Sequence, residues 1–141
     1  MTTAYLDCEF NGFNGSLISL ALFVDEDNYF YEVLSCREPI PWVKANVIPV
    51  LNKHHIPLEE FKYRLETFIN KYNDLTIVAD WPDDIKYFCE ALIIAPGVSI
   101  NTPKTLTFSL MRVDAPSSVP HNALADAIGI KRYIESNAIN K

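Results

Sequence analysis

The chain has 141 residues, of which 49% are hydrophobic and 12% aromatic, and its net charge is −6. This composition can bury a sizeable core, so it predicts one domain over residues 1–141 and excludes a disordered chain. The acidic balance argues against a protein that coats nucleic acid through a broad basic surface. Any contact with nucleic acid should therefore be short and local.

The sequence contains no targeting or membrane signal that we identify. No stretch approaches the roughly 20 apolar residues of a membrane span, and the segment MTTAYLDCEF lacks the basic and apolar regions of a signal peptide. Cys8, Cys36 and Cys89 cannot all pair with one another and form no CxxC spacing, which favours reduced, packed thiols. We expect a cytoplasmic protein with no membrane partner.

Hydrophobic patterning predicts three strands near the N-terminus. Residues 4–9 form the first strand, and residues 16–24 form a nearly continuous apolar run typical of a strand buried on both faces. Residues 29–34 form the antiparallel neighbour of the second strand, with Asp25–Asn28 as the turn.

Helices and strands alternate in the rest of the chain. In order they are an irregular helix within 42–52 that contains Pro49, a helix over 58–72, a strand over 75–79, a helix beginning near Pro82, a strand over 105–112 with one exposed face, and a helix over 122–136. Stretches rich in Pro and Ser predict loops at 37–41, 95–104 and 114–120. This order predicts an α/β fold with a mixed five-stranded sheet, three antiparallel strands followed by parallel crossovers, flanked by helices.

Two carboxylates lie together on the first strand. Asp7 and Glu9 are two residues apart, so the period of a strand places both on the same side of the sheet. Buried and unpaired, they would be costly unless a cation compensated them, and a divalent metal is the simplest compensation. A solvated strand end is an equally good interpretation of this pair taken alone.

The helix near Pro82 begins with three more acidic residues. Helical spacing puts Asp84 beside Trp81 and Phe88, at the edge of the apolar face, where a carboxylate needs a partner. Favourable interaction with the helix dipole is the alternative role for Asp84. We interpret Asp80 as the N-cap of this helix, with Asp83 in the capping-box position.

The last helix is preceded by a histidine and contains a carboxylate. Asp126 is flanked by Ala123, Ala127 and Gly129, small residues that would let the helix approach the sheet. His121 lies five residues before Asp126, on the lead-in to the helix. Taken alone, a histidine at such a position is more often a surface or capping residue than a base.

Together these segments resemble a known family. DCE at 7–9, IVADWPDDIKYF at 77–88 and HNALAD at 121–126 are similar, in the same order, to the three motifs of the DEDDh 3′–5′ exonucleases, a group that includes ribonuclease T, oligoribonuclease and polymerase proofreading subunits. The chain looks closest to the small bacterial and phage exoribonuclease-like branch. The resemblance implies a ribonuclease H-like fold.

The resemblance also implies roles for individual residues. Asp7, Glu9, Asp84 and Asp126 would bind the metal ions, and His121 would be the general base. Phe10, Asn11 and Gly12 would border the 3′-terminal nucleotide. The family usually has an asparagine where this chain has Asp80, so one polar contact near the site differs. The short segment between Asp84 and His121 suggests an open cleft.

The implied reaction is two-metal-ion phosphodiester hydrolysis that releases mononucleotides from single-stranded 3′ ends, with RNA slightly favoured over DNA. Hard oxygen ligands suit two Mg²⁺ or Mn²⁺ ions. The expected partners are single-stranded RNA or DNA 3′ ends, with a homodimer as a candidate assembly. A non-catalytic binding or regulatory module of the same fold and a ribonuclease H-like endonuclease are the alternatives.

Two further features have a structural and a functional interpretation. Phe10 and Trp81 could stack on bases, although both fit core positions better. The adjacent His54 and His55 could form a separate metal site, although adjacent loop histidines are usually solvated.

Overall fold

The fold is described here from a computed structural model, which covers residues 1–139 and the side chains of residues 1–137. In chain order the elements are β1 (Thr2–Phe10), β2 (Leu17–Asp25), β3 (Asn28–Val33), α1 (Pro41–Asn46), a 3-10 turn (Ile48–Val50), α2 (Leu58–Ile69), β4 (Asp74–Ala79), α3 (Pro82–Leu92), β5 (Ile93–Ala95), β6 (Val98–Ser99), β7 (Thr105–Leu110) and α4 (Ala123–Ile139).

Five of the strands form one mixed sheet in the order β3-β2-β1-β4-β7. β1, β2 and β3 are antiparallel neighbours, whereas β4 pairs with β1 and with β7 in parallel. The two parallel connections each pass through a helix, as crossovers require. This confirms the predicted α/β fold with a mixed five-stranded sheet flanked by helices.

Helices cover both faces of the sheet. α2 and α3 pack on one face around Phe61, Leu65 and Phe88, which are fully buried. α4 packs on the other face, where Ala123 and Ala127 meet β2 and β3. The apolar run of β2 is buried on both faces, as its pattern predicts.

Gly129 allows a close approach, but to a loop rather than to the sheet. A Cβ atom there would lie 2.4 Å from the Pro116 carbonyl oxygen. The segment before α4 therefore packs directly against that helix.

Several helices begin or end at residues other than the predicted ones. α2 ends at Ile69 instead of residue 72, because the Asn70 side chain donates hydrogen bonds to the carbonyl oxygens of Glu66 and Asn101, each at 2.7 Å. α4 continues to Ile139. The helix expected within 42–52 is α1 followed by a 3-10 turn that contains Pro49.

The loop predicted over 95–104 is wrong in its first half. β5 and β6 form a small antiparallel hairpin there, with Gly97 at φ +73° in its turn. Two cross-strand pairs join β5 to β6 in the described residues. Strands this short show no alternation of apolar and polar residues from which the sequence could predict them. The strand expected over 105–112 with one exposed face is β7. It lies at the edge of the sheet and is largely exposed on both faces. Within the described residues, no helix is long and apolar enough to cross a membrane.

Candidate metal centre

The site forms where β1 extends beyond its parallel neighbour. β1 pairs with β4 only as far as Tyr5, which lies opposite Val78, and β4 ends at Ala79. Leu6 and Cys8 point into the core under α2 and α3. Asp7 and Glu9 alternate with them, so they lie on the α4 side of the sheet, past the end of β4.

Five carboxylates meet at this end of the sheet. Carboxylate oxygens of Asp7, Asp80 and Asp84 lie within 4.8 Å of one another, and so do those of Asp7, Glu9 and Asp126. Asp7 belongs to both groups. The structure therefore brings together all four carboxylates that the sequence assigned to metal binding, and adds Asp80.

Asp84 is placed by a contact between α3 and β1. Its Oδ1 atom accepts a hydrogen bond from the Cys8 N–H at 3.1 Å, and its side chain is 3% exposed. The Cys8 thiol donates to the Asp84 carbonyl oxygen at 3.7 Å. These bonds occupy the edge of β1 that β4 leaves free, so they fix one carboxylate against the strand that carries two others.

The predicted cap of α3 is wrong. Trp81, not Asp80, is the N-cap residue, and within the described part of the chain no side chain caps this helix end. Pro82 occupies the first turn, where its missing N–H is not needed. Asp83 instead accepts a hydrogen bond from the Trp81 indole N–H at 3.2 Å. With no capping role, Asp80 points its carboxylate toward Asp7 and Asp84.

Burial and mutual repulsion make the charged forms of these acids unfavourable. Burial, with the charge of Asp126 added, raises the pKa of Glu9 to about 9. Burial, with the charge of Asp80 added, raises the pKa of Asp84 to about 8 despite the Cys8 hydrogen bond. The same causes, burial first, raise the pKa of Asp7 well above its usual range and also raise that of Asp80. Burial raises the pKa of Asp126, although its hydrogen bonds with Ser117 and Glu9 act in the opposite direction.

The residues present fit a pair of hard divalent cations. Among the described residues, Asp7 Oδ2 is a buried oxygen with no hydrogen-bond partner. The converging donors are carboxylate oxygens, the ligands that Mg²⁺ and Mn²⁺ prefer. Two ligand groups that share one carboxylate suit two adjacent ions.

His121 lies beside the cluster at the start of α4. Its backbone is in the left-handed region at φ 72°, and its ring packs edge-on against Trp42 of α1, with 4.9 Å between ring centroids. The cap of α4 is the next residue, Asn122, whose Oδ1 accepts a hydrogen bond from the Ala125 N–H at 3.0 Å. His121 is therefore free of the capping role that the sequence left open for it.

Asn122 also ties α4 to the segment that follows α1. Its Nδ2 atom donates to the Val50 carbonyl oxygen at 2.8 Å and lies 3.4 Å from the Tyr31 hydroxyl. Burial, with the charge of Glu9 added, raises the pKa of Tyr31 to about 12, so its hydroxyl stays protonated and donates to Leu51.

The three residues predicted to border the substrate have different surroundings. Phe10 is half-buried and stacks on Tyr87, with 4.7 Å between centroids. The Asn11 side chain donates to the Glu38 carbonyl oxygen and accepts from the Ile40 N–H, each at 2.9 Å. Gly12, at φ +76°, leaves room for Ile40.

These contacts link β1 to the start of α1. The Asn11 bonds hold the segment that leads to Trp42 next to the strand that carries the carboxylates. Trp42 gave no signal in the sequence, because α1 is short and one exposed aromatic residue forms no pattern.

Trp81 and the pair His54 and His55 lie at the surface of the protein. Trp81 is 49% exposed, against the core position expected for it, and the Arg112 guanidinium lies 4.7 Å from its ring centre. Phe10 does pack as a core residue. His54 and His55 are exposed, and among the described residues neither belongs to a group that could bind a metal ion.

No protein-family model matches this chain, and a search of curated proteins gives no significant match. The resemblance to DEDDh exonucleases therefore stays a prediction that rests on the motifs.

The raised pKa values predict how stability depends on pH when metal is removed. Glu9 and Asp84 have ordinary pKa values near 4.5 and 3.8 and titrate near 9 and 8 in the folded chain. Between these limits the folded chain binds more protons than the unfolded chain, so its stability falls as pH rises. We expect the melting temperature in chelator to fall from about pH 5 to about pH 9.

Adding Mn²⁺ should reverse that loss at pH 8 and have little effect at pH 5, where protons occupy the carboxylates. Asp7→Asn in chelator should be at least as stable as the wild type at pH 8, because one repulsive charge is removed. Differential scanning fluorimetry across this pH range measures both effects. A melting temperature that rises with pH in chelator would contradict the prediction.

A second prediction separates Asp80 from its neighbour Asp83. Asp80→Asn should weaken Mn²⁺ binding by on the order of tenfold or more, because one carboxylate of the cluster is lost. Asp83→Asn is the matched control and should leave Mn²⁺ affinity unchanged, since Asp83 faces the Trp81 indole instead. Isothermal titration calorimetry compares the two. Equal affinities in both variants would exclude Asp80 from the site.

Proposed function

We propose that this protein is a metal-dependent 3′–5′ exonuclease of the DEDDh type that releases mononucleotides from single-stranded nucleic acid. The observation that carries the proposal is the pair of carboxylate groups sharing Asp7, with His121 next to Asp126. The members come from three separated segments of the chain, namely β1, the region from the end of β4 into α3, and the start of α4, and they include the residues that the three motifs imply.

The arrangement of the sheet supports the same proposal. The order β3-β2-β1-β4-β7, with three antiparallel strands and two parallel ones, is consistent with a ribonuclease H-like fold. In this arrangement the central strand β1 carries two of the carboxylates, β4 leads into Asp80, and the helices on opposite faces supply Asp84 and Asp126.

Asp7, Glu9, Asp84 and Asp126 would bind two Mg²⁺ or Mn²⁺ ions, and Asp80 would be a further ligand in the position where the family has asparagine. When bound, such ions stabilise charge on the phosphoryl and leaving oxygens and lower the pKa of the attacking water. His121 would be the residue that accepts a proton from the attacking water. The Trp42 ring limits the orientations open to the His121 imidazole.

The residues around the site favour a single-stranded nucleic acid end as the substrate. Trp42 and Trp81 are exposed near the site, since Trp42 packs against His121 and Trp81 directly follows Asp80 in the chain. Aromatic rings stack on bases without regard to sequence, and stacking needs unpaired bases. A duplex endonuclease would need a broad basic surface, which a net charge of −6 does not favour.

The reaction predicts a defined product pattern. Single-stranded RNA labelled at its 5′ end should be shortened one nucleotide at a time in Mg²⁺ or Mn²⁺, and not at all in excess chelator. DNA of the same sequence measures the sugar preference. Gel electrophoresis resolves the ladder, with a circular strand as control. Internal cuts in the circle would indicate an endonuclease, and intact strands in every metal would indicate a non-catalytic binding module.

A second prediction separates the base from a ligand. His121→Ala should retain Mn²⁺ binding and lose on the order of 10²–10⁴ in single-turnover rate, because general base catalysis is removed. Asp126→Ala should lose both metal affinity and rate. Calorimetry and single-turnover kinetics on the two variants separate these roles. Cleavage by His121→Ala at the wild-type rate across pH 6–8 would remove His121 as the base and the DEDDh assignment with it.

A further inference from the structure

The edge strand β3 borders a cavity of about 320 Å³ that the proposed chemistry does not use. It lies between β3 and α2, and three of the chain's 12 cationic side chains line it, namely Lys53, Arg64 and Lys71. Aromatic rings line the rest, including Tyr29 and Tyr63, which are 49% and 68% exposed. Cations and exposed aromatic rings thus share one opening.

A buried acid holds two of the cations in place. Glu32 is 6% exposed, and its carboxylate forms ion pairs with Lys53 at 3.1 Å and with Arg64 at 2.9 Å. Arg64 also pairs with Glu60 at 3.2 Å. These bonds reduce the freedom of both cations, so less conformational entropy is lost when an anion binds.

The third cation, Lys71, differs from the other two. Among the described residues Lys71 forms no ion pair, and its ammonium group lies 4.7 Å from the centre of the Phe68 ring. The three cations of the cavity stand against two carboxylates, Glu32 in its lining and Glu60 paired with Arg64, which leaves a net positive charge locally in a chain whose total is −6. An anionic ligand is therefore attracted to this surface locally.

Residues next to the candidate active site connect it with this cavity. Lys53 donates to the Tyr31 carbonyl oxygen at 2.6 Å. The Tyr31 hydroxyl, at the other end of that residue, lies 3.4 Å from Asn122 Nδ2. Asn122 directly follows His121. One residue of β3 therefore contacts both regions.

We propose that this cavity binds the part of a single-stranded nucleic acid that lies 5′ of the nucleotide being removed. Tyr29 and Tyr63 stack on bases, and Lys53, Arg64 and Lys71 contact phosphates. Phosphates next to aromatic rings at regular spacing are the chemistry of a polynucleotide strand. The assignment of a 5′ segment rests on the proposed exonuclease function, whereas the binding itself does not.

The test compares two matched double variants of the full chain. Tyr63→Ala with Lys71→Ala removes one exposed ring and the unpaired cation of the cavity. Tyr133→Ala with Lys104→Ala removes an exposed tyrosine and an exposed lysine elsewhere on the surface. Melting temperatures of both variants report whether each one folds as the wild type does.

Binding of a fluorescein-labelled dodecamer of RNA is measured by anisotropy in chelator, where no cleavage occurs. The cavity variant should bind on the order of tenfold or more weakly, as expected for one lost stacking contact. Its plot of log affinity against log salt should be shallower by about 0.7 for each lost phosphate contact. The control variant should match the wild type in both measurements.

Cleavage in Mn²⁺ gives the second readout. The ratio of kcat/KM for the dodecamer to kcat/KM for a dinucleotide should fall in the cavity variant and stay constant in the control. Equal binding and equal ratios in both variants, with wild-type cleavage intact, would overturn the cavity proposal alone. Binding lost in the cavity variant, with no strand cleaved by the wild type, would overturn the exonuclease proposal and retain the cavity as a nucleic-acid site.

Discussion

The burial of five carboxylates close to one another is the constraint around which this structure is organised. Asp7 takes part in both ligand groups, and its Oδ2 atom has no hydrogen-bond partner among the described residues. Burying such a group costs free energy unless protons or cations compensate it. The raised pKa values of Glu9 and Asp84 are the proton form of that compensation. Bound divalent ions would be the other form of compensation, and they would also take part in the proposed hydrolysis.

The fold creates the space for these acids by ending one strand early. β1 continues beyond β4, and α3 fills the vacant edge with Asp84 instead of another strand. On the opposite face, Ala123 and Ala127 let α4 approach the sheet. The rest of the sheet and both layers of helices fix these few backbone positions. Small changes in their packing should therefore affect the site before they affect the fold.

Hydrogen bonds and an aromatic contact position the residues around the carboxylate cluster. Asn11 joins the end of β1 to the segment before α1, and α1 places Trp42 against His121. Asn122 joins α4 to the 3-10 turn that follows α1. α1 has only six residues, and its buried Val43 packs with Ile18 and Val47 in a separate apolar cluster. Together these contacts fix the position of Trp42 next to His121.

The sequence by itself determined the main elements and most of the site. Apolar patterning located the five strands of the sheet and the long helices, because the spacing of apolar residues along a segment indicates its type of secondary structure even for the exposed edge strand β7. The resemblance of the three motifs to DEDDh exonucleases implied Asp7, Glu9, Asp84 and Asp126 as metal ligands, and the structure brings these four carboxylates together. Only the tertiary structure shows that the Asp80 carboxylate lies next to Asp7 and Asp84. In the sequence, a carboxylate just before a helix fits a capping role equally well. The tertiary structure also decided the contact of Trp42 with His121 and the cavity beside β3, because their residues are distant in sequence and meet only when the chain folds.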